Sequence, residues 1–185
     1  MIDLASLGIR TFPDPVLRQP AKPVPAVTDE VRAVAHRMVE LMFEAEGIGL
    51  AAPQVGLPWR MFVAHVPASD DRSPDHDPPT ATVRPMVCIN PVVSEFSRDL
   101  EPYEEGCLSL PEIHGDVRRP SQATIRAIGV DGAEYTMRAG GLLARCWQHE
   151  NDHLDGVLII DRFTPGARLK NRAAVRRLQH EAESA

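Results

Sequence analysis

The residues best suited to chemistry in this chain are His149-Glu150-Asn151-Asp152-His153. Histidines four residues apart leave an α-helix on one face, a turn apart, so both imidazoles can meet one metal ion. Glu150 would sit beside them, within reach of a water on that ion. The simpler alternative is a solvated helix that holds two histidines by chance. A tetrahedral hydrolytic centre also needs a third protein ligand and one open position for water. Downstream, Asp155, Asp161 and His180 are weak candidates. Upstream lies Cys107, in Glu104-Glu105-Gly106-Cys107-Leu108-Ser109, where Gly106 permits close backbone approach and a thiolate would suit zinc or ferrous iron. Taken alone, Cys107 reads more simply as a small buried hydrophobe. A third segment, Gly47-Ile48-Gly49-Leu50-Ala51-Ala52-Pro53-Gln54, lets backbone lie against a ligand and offers the Gln54 amide as a donor. By itself it is only a small-residue turn.

These residues need elements to hold them. After Thr28 and Asp29, apolar residues from Val31 to Ala45 recur at helical spacing until Gly47. Residues 11–25 contain five prolines and read as an extended, turn-rich lead-in. Arg60–Val66, Met86–Ile89, Ala123–Ile128 and Glu134–Met137 fit short strands, the last two joined by the turn pair Asp131-Gly132. Leu142–Leu154 reads as the helix that carries the histidines, Val157–Ile160 as another strand, and residues 166–184 as a C-terminal helix. Between two of the strands, residues 67–85 have too few apolar side chains to pack and read as a solvated, mobile loop. Strands and helices without strict alternation imply an α+β fold: short antiparallel or mixed strands around a central helix with the His149/His153 motif.

Composition narrows the function classes. At 185 residues, 43% hydrophobic and 25% charged, the chain suits one catalytic domain spanning residues 1–185. No apolar run approaches the roughly 20 residues of a membrane span. The net charge of −6 argues against a generic nucleic-acid binder, and three widely spaced cysteines argue against a disulfide framework. With no basic and apolar leader pattern in its first residues, the protein is expected in the cytoplasm.

Together, and in this order, GIGLAAPQ, EGCLS and QHENDH resemble the three motifs of the peptide deformylase family. The likeness extends through the lead-in PDPVLRQPAKPV and through GLLARCWQ. It implies a metal-dependent hydrolase that removes the formyl group from the N-terminal formyl-methionine of new polypeptides. Cys107, His149 and His153 would then hold one divalent metal, Fe2+ in the cell, with Zn2+ or another divalent ion able to replace it. Glu150 would act as general base and acid. Gln54 and the Leu108 backbone N–H would stabilise the developing oxyanion, and the Gly49 backbone would hold the substrate amide. Ile48, Tyr103, Leu142 and Cys146 would line the methionine pocket, although core packing explains Cys146 equally well.

Asp152 is a candidate partner for a ligating imidazole, and Glu105 with Arg119 could brace the Cys107 loop. Arg145, where some family members have an aliphatic residue, would make the outer pocket wall more polar. His36, His65, His76 and His114 read as surface or packing residues. On the C-terminal helix Arg168, Arg172 and Arg176 share a face; the family likeness implies that this helix docks on the ribosome, and a merely solvated face is the equal alternative. Two other function classes fit parts of the pattern: an H-E-x-x-H peptidase for ordinary peptide bonds, and a non-catalytic metal-binding ribosome-associated protein. Glu150 and Gln54 speak against the second, because a structural metal site needs neither.

Overall fold

The first helix begins where its capping chemistry predicts. Thr28 accepts a hydrogen bond from the Val31 N–H at 3.3 Å, Asp29 and Glu30 occupy the positive end of the helix dipole, and α1 runs over Asp29–Glu44. Val31, Val34, Ala35, Met38, Leu41 and Met42 form its buried stripe. It ends as the Gly47 N–H returns to the Met42 carbonyl at 2.8 Å, with Glu46 in the left-handed region. In this computed structural model, which describes residues 2–183, that stripe packs against one face of a five-stranded sheet.

The sheet comprises β1 (Gly49–Ala51), β2 (Met61–Ala64), β3 (Met86–Ser94), β6 (Gln122–Ile128) and β7 (Glu134–Gly140), in that spatial order and antiparallel throughout. Between β3 and β6 in sequence lie β4 (Leu100–Cys107) and β5 (Leu110–Pro120), which form a separate antiparallel hairpin. The central helix α2 (Gly141–Leu154) lies between the two sheets and presents three stripes. Leu143, Trp147 and Leu154 are fully buried in the core shared with the large sheet. Arg145, His149 and Asp152 turn toward the β4–β5 hairpin, while Cys146, Glu150 and His153 face the space between Gly49 and Cys107. Truncating Trp147, the largest of the core side chains, would cost about 3–5 kcal/mol.

The α+β architecture follows the expectation, and several elements depart from it. Val157–Ile160 is not a strand: Asp161 accepts from the Leu158 N–H at 2.9 Å and starts the short helix α3 (Ile159–Arg162). Capping by a carboxylate outweighs the β preference of an apolar run only four residues long. Residues 67–85 are not simply solvated. Thr82 hydrogen-bonds Val66 through backbone (2.8 Å) and hydroxyl (3.1 Å), Ala81 is buried, and the Gly140 N–H donates to the Pro79 carbonyl at 2.9 Å. Hydrogen bonds and the burial of Ala81 hold this segment beside the end of β2 and the start of α2. The C-terminal helix α4 covers Pro165–Glu183, and Ser184 lies outside the described residues.

Candidate active site

The metal-ligand candidates converge. Ligand atoms of Cys107, His149 and His153 all lie within 4.8 Å of one another, with the Cys107 sulfur 3.2 Å from His153 Nε2. The imidazole rings stand edge to face, their centroids 5.0 Å apart. Three donors from β4 and α2 leave one tetrahedral position for a non-protein ligand, and a thiolate with two imidazoles suits a zinc or ferrous ion.

Glu105 fixes the tautomer of His149. A carboxylate can only accept, so His149 Nδ1 carries the proton toward Glu105 Oε2 at 3.1 Å and Nε2 remains for a metal. Burial opposes the charge on Glu105, but hydrogen bonds from His149 and Arg119 outweigh it and hold the carboxyl well below its ordinary value. The Glu105–Arg119 pair forms as expected, at 2.7 and 3.0 Å. Asp152 does not touch an imidazole; it accepts from Arg119 and Arg162, each at 2.7 Å. The reason is competition: Arg119 and Arg162 take up the Asp152 carboxylate, and Glu105 already accepts from the His149 Nδ1–H on the same stripe.

Glu150 is 4% exposed, and burial raises its carboxyl to about 7. Its Oε2 is buried with no hydrogen-bond partner among the described residues. A buried carboxylate oxygen without a donor is costly, so this atom is poised for a group the protein itself does not supply. Gly49 packs directly on it, since a Cβ there would come within 2.3 Å of Glu150 Oε1. Gln54, also buried, anchors its carbonyl on the Ala51 N–H at 2.8 Å and points its amide nitrogen at Ser109 Oγ (3.1 Å) and Cys107 Sγ (3.6 Å). Ser109 thus orients Gln54, a role its place beside Cys107 did not disclose.

A cleft of about 530 Å³ opens over these groups, and Ile48, Gly49, Tyr103, Leu108, Leu142 and Cys146 are among its walls. Cys146 lines the cleft, and its thiol, donating to the Ile48 carbonyl at 3.3 Å, belongs to the core. Arg145 lies in the wall with its guanidinium turned to Glu105, beneath the Tyr103 ring at 5.3 Å. His114, read from the sequence as a surface or packing residue, lies at the cleft with its ring against Gly106, where a Cβ would meet it at 2.6 Å. Only the folding of β5 back along β4 brings it there.

Residues 6–169 match the family described as polypeptide deformylase. The chain is 49% identical over 156 residues to peptide deformylase 2 of Gloeobacter violaceus, which covers 84% of this chain and 78% of that one. It is 44% identical to a peptide deformylase of Acinetobacter baumannii over 97% of this chain and 96% of the other. The crystal structure of peptide deformylase from Ehrlichia chaffeensis superposes with a TM-score of 0.85 at 30% identity, covering 96% of this chain and 97% of that one. The chain belongs to the polypeptide deformylase family, metal-dependent hydrolases that remove the N-formyl group from the formyl-methionine of new polypeptides.

Proposed function

We propose that this protein deformylates nascent formyl-methionyl chains with Cys107, His149 and His153 as its metal ligands and Glu150 as its acid/base. The observation that carries this reading is the partnerless Glu150 Oε2 beside three converging ligand atoms. In this reading Fe2+ is the ion used in the cell, with Zn2+ or another divalent ion able to take its place. When bound, the ion acts as a Lewis acid that lowers the pKa of water and polarises a carbonyl.

The protein's own groups then divide the work. Glu150, held near 7 by burial, can accept the proton of attacking water and return it to the departing amine, a role typically worth 10²–10⁴-fold, about 3–5 kcal/mol. The Gln54 amide and the Leu108 N–H donate to the formyl oxygen as it becomes negative, each such donor being worth about 3–4 kcal/mol. The Gly49 backbone aligns the substrate amide, and Ile48, Tyr103, Leu142 and Cys146 receive the methionine side chain. Glycine at position 49 is required sterically, because any side chain there would displace the base.

Further from the centre, Arg168, Arg172 and Arg176 are exposed on α4. They dock the enzyme on the ribosome where nascent chains emerge, and the enzyme works in the cytoplasm. The direct test of the activity is formate release from formyl-Met-Ala-Ser and acetyl-Met-Ala-Ser by anaerobically purified protein. Turnover of the formyl peptide alone is expected, because an added methyl group should collide with the backbone around Gly49 and Leu108; comparable turnover of both would overturn formyl specificity.

A further inference from the structure

We propose that Arg145 is a positioning residue for the metal centre: it grips the same carboxylate as His149, one turn earlier on α2, and so sets how α2 sits against the strand that carries Cys107. This rests on the reading that Cys107, His149 and His153 hold the metal.

Glu105 stands two residues before Cys107 on β4. Its Oε1 accepts from Arg119 Nε at 2.7 Å and Arg145 Nη1 at 2.8 Å; its Oε2 accepts from Arg119 Nη2 at 3.0 Å and His149 Nδ1 at 3.1 Å. Arg119 comes from β5, the partner of β4, so its fork ties the carboxylate to its own hairpin. Arg145 and His149 come from α2, and they tie the same carboxylate to the helix. Arg145 also donates to the Glu101 carbonyl of β4 at 2.7 Å and the Val117 carbonyl of β5 at 3.1 Å. At 6% exposure this guanidinium is a buried clamp between helix and hairpin.

The stripe Arg145, His149, Asp152 is therefore anchored on both sides of His149. Asp152 holds Arg119 Nη1 at 2.7 Å on the C-terminal side, and Arg145 holds Glu105 on the N-terminal side. Without Arg145 the helix keeps Asp152 on Arg119, His149 on Glu105 and Gln148 on the Pro120 carbonyl at 3.0 Å, but it loses its clamp on the Glu101 and Val117 carbonyls, which loosens the N-terminal half of α2. His149, nearer that half, would shift against Cys107 more than His153 would. A lysine cannot span three acceptors with one rigid fork, so it would restore the clamp only in part.

The test is Zn2+ affinity by chelator competition on Arg145→Met and Arg145→Lys, with visible absorption of the Co2+-substituted proteins. Arg145→Met is expected to weaken Zn2+ binding about 10–100-fold, the range for loss of an outer partner of a ligating histidine, and to alter the Co2+ bands. Arg145→Lys should fall between it and the wild type. Wild-type affinity and an unchanged Co2+ spectrum in Arg145→Met overturn the proposal, whatever its thermal midpoint. If Arg145→Met does not fold, Arg145→Lys decides alone, and wild-type affinity and spectrum there overturn the proposal equally. Cys107→Ala, measured alongside, separates the two levels. If it keeps Zn2+ at wild-type affinity, the ligand assignment itself fails; if it loses Zn2+ while Arg145→Met does not, only the role of Arg145 fails.

Discussion

Helices α2 and α4 both carry polar stripes at helical spacing, and they use them in opposite ways. On α2, Arg145, His149 and Asp152 face the β4–β5 hairpin, where the buried Glu105 and Arg119 answer them. On α4, Arg168, Arg172 and Arg176 face outward, while Ala167, Asn171 and Val175 pack toward the hairpin. Buried charge must find a partner with good geometry, so it can fix positions to a fraction of an ångström. Solvated charge has no such obligation, and what it supplies is a screened, long-range attraction. The difference separates residues that shape the site from those suited to meeting a partner.

That contrast breaks most visibly at Glu105. Glu105→Ala leaves Arg119 and Arg145 without their shared carboxylate, and stability measured by urea unfolding should fall by about 3–5 kcal/mol, the usual cost of removing one member of a buried ion network. A loss under 1 kcal/mol would mean that the network is no more than a solvated cluster.

Next in size is Gly49→Ala, whose Cβ would press on Glu150 Oε1. Turnover should drop by about 10–100-fold, as expected when a catalytic group is displaced by around 1 Å, while the metal-to-protein ratio stays near that of the wild type. Full activity in this variant would detach Glu150 from its assigned place.

Acidity sharpens the comparison further. Because the folded pKa of Glu105 lies below its unfolded value of 4.5, the stabilisation is fully present above 4.5 and is lost as the pH falls toward the folded value. The stability gap between wild type and Glu105→Gln should therefore narrow on acidification below about 4.5. A gap that stays constant from neutral pH down to 3 would rule out this linkage.

The smallest intramolecular effect belongs to α4. Reversing charge at Arg168, Arg172 and Arg176 should leave free-peptide turnover unchanged and shift stability by about 0.5 kcal/mol or less per site, while weakening ribosome co-sedimentation most at low salt. Undiminished co-sedimentation would make this stripe an ordinary solvated face.

Much of the site was readable in the sequence because its parts obey local rules. The two histidines need only helical spacing, the β6–β7 turn needs Asp131-Gly132, and α1 shows an unbroken apolar stripe. The β4–β5 hairpin was hidden for a physical reason. Along β5 the inward positions are Ile113, Gly115, Val117 and Arg119, so glycine and arginine interrupt an alternation that burial otherwise follows faithfully. Arg119 is inward because Glu105 and Asp152 await it, and Gly115 because a Cβ would strike Ala167 at 2.9 Å. Glu105 and Asp152 lie 14 and 33 residues from Arg119, beyond the reach of any local pattern. The same holds for Ser109 on Gln54 and for Glu105 on His149.

The central claim is that Cys107 holds the metal while Glu150 moves the proton, and the most direct measurement is metal-to-protein stoichiometry beside turnover for Glu150→Gln and Cys107→Ala. Glu150→Gln should keep nearly full metal and lose at least ~10²-fold in turnover, the low end for a missing general base. In Cys107→Ala, metal and activity should fall together, since a ligand is gone. The account is contradicted if Glu150→Gln remains active at full occupancy, or if Cys107→Ala retains both its metal and its rate.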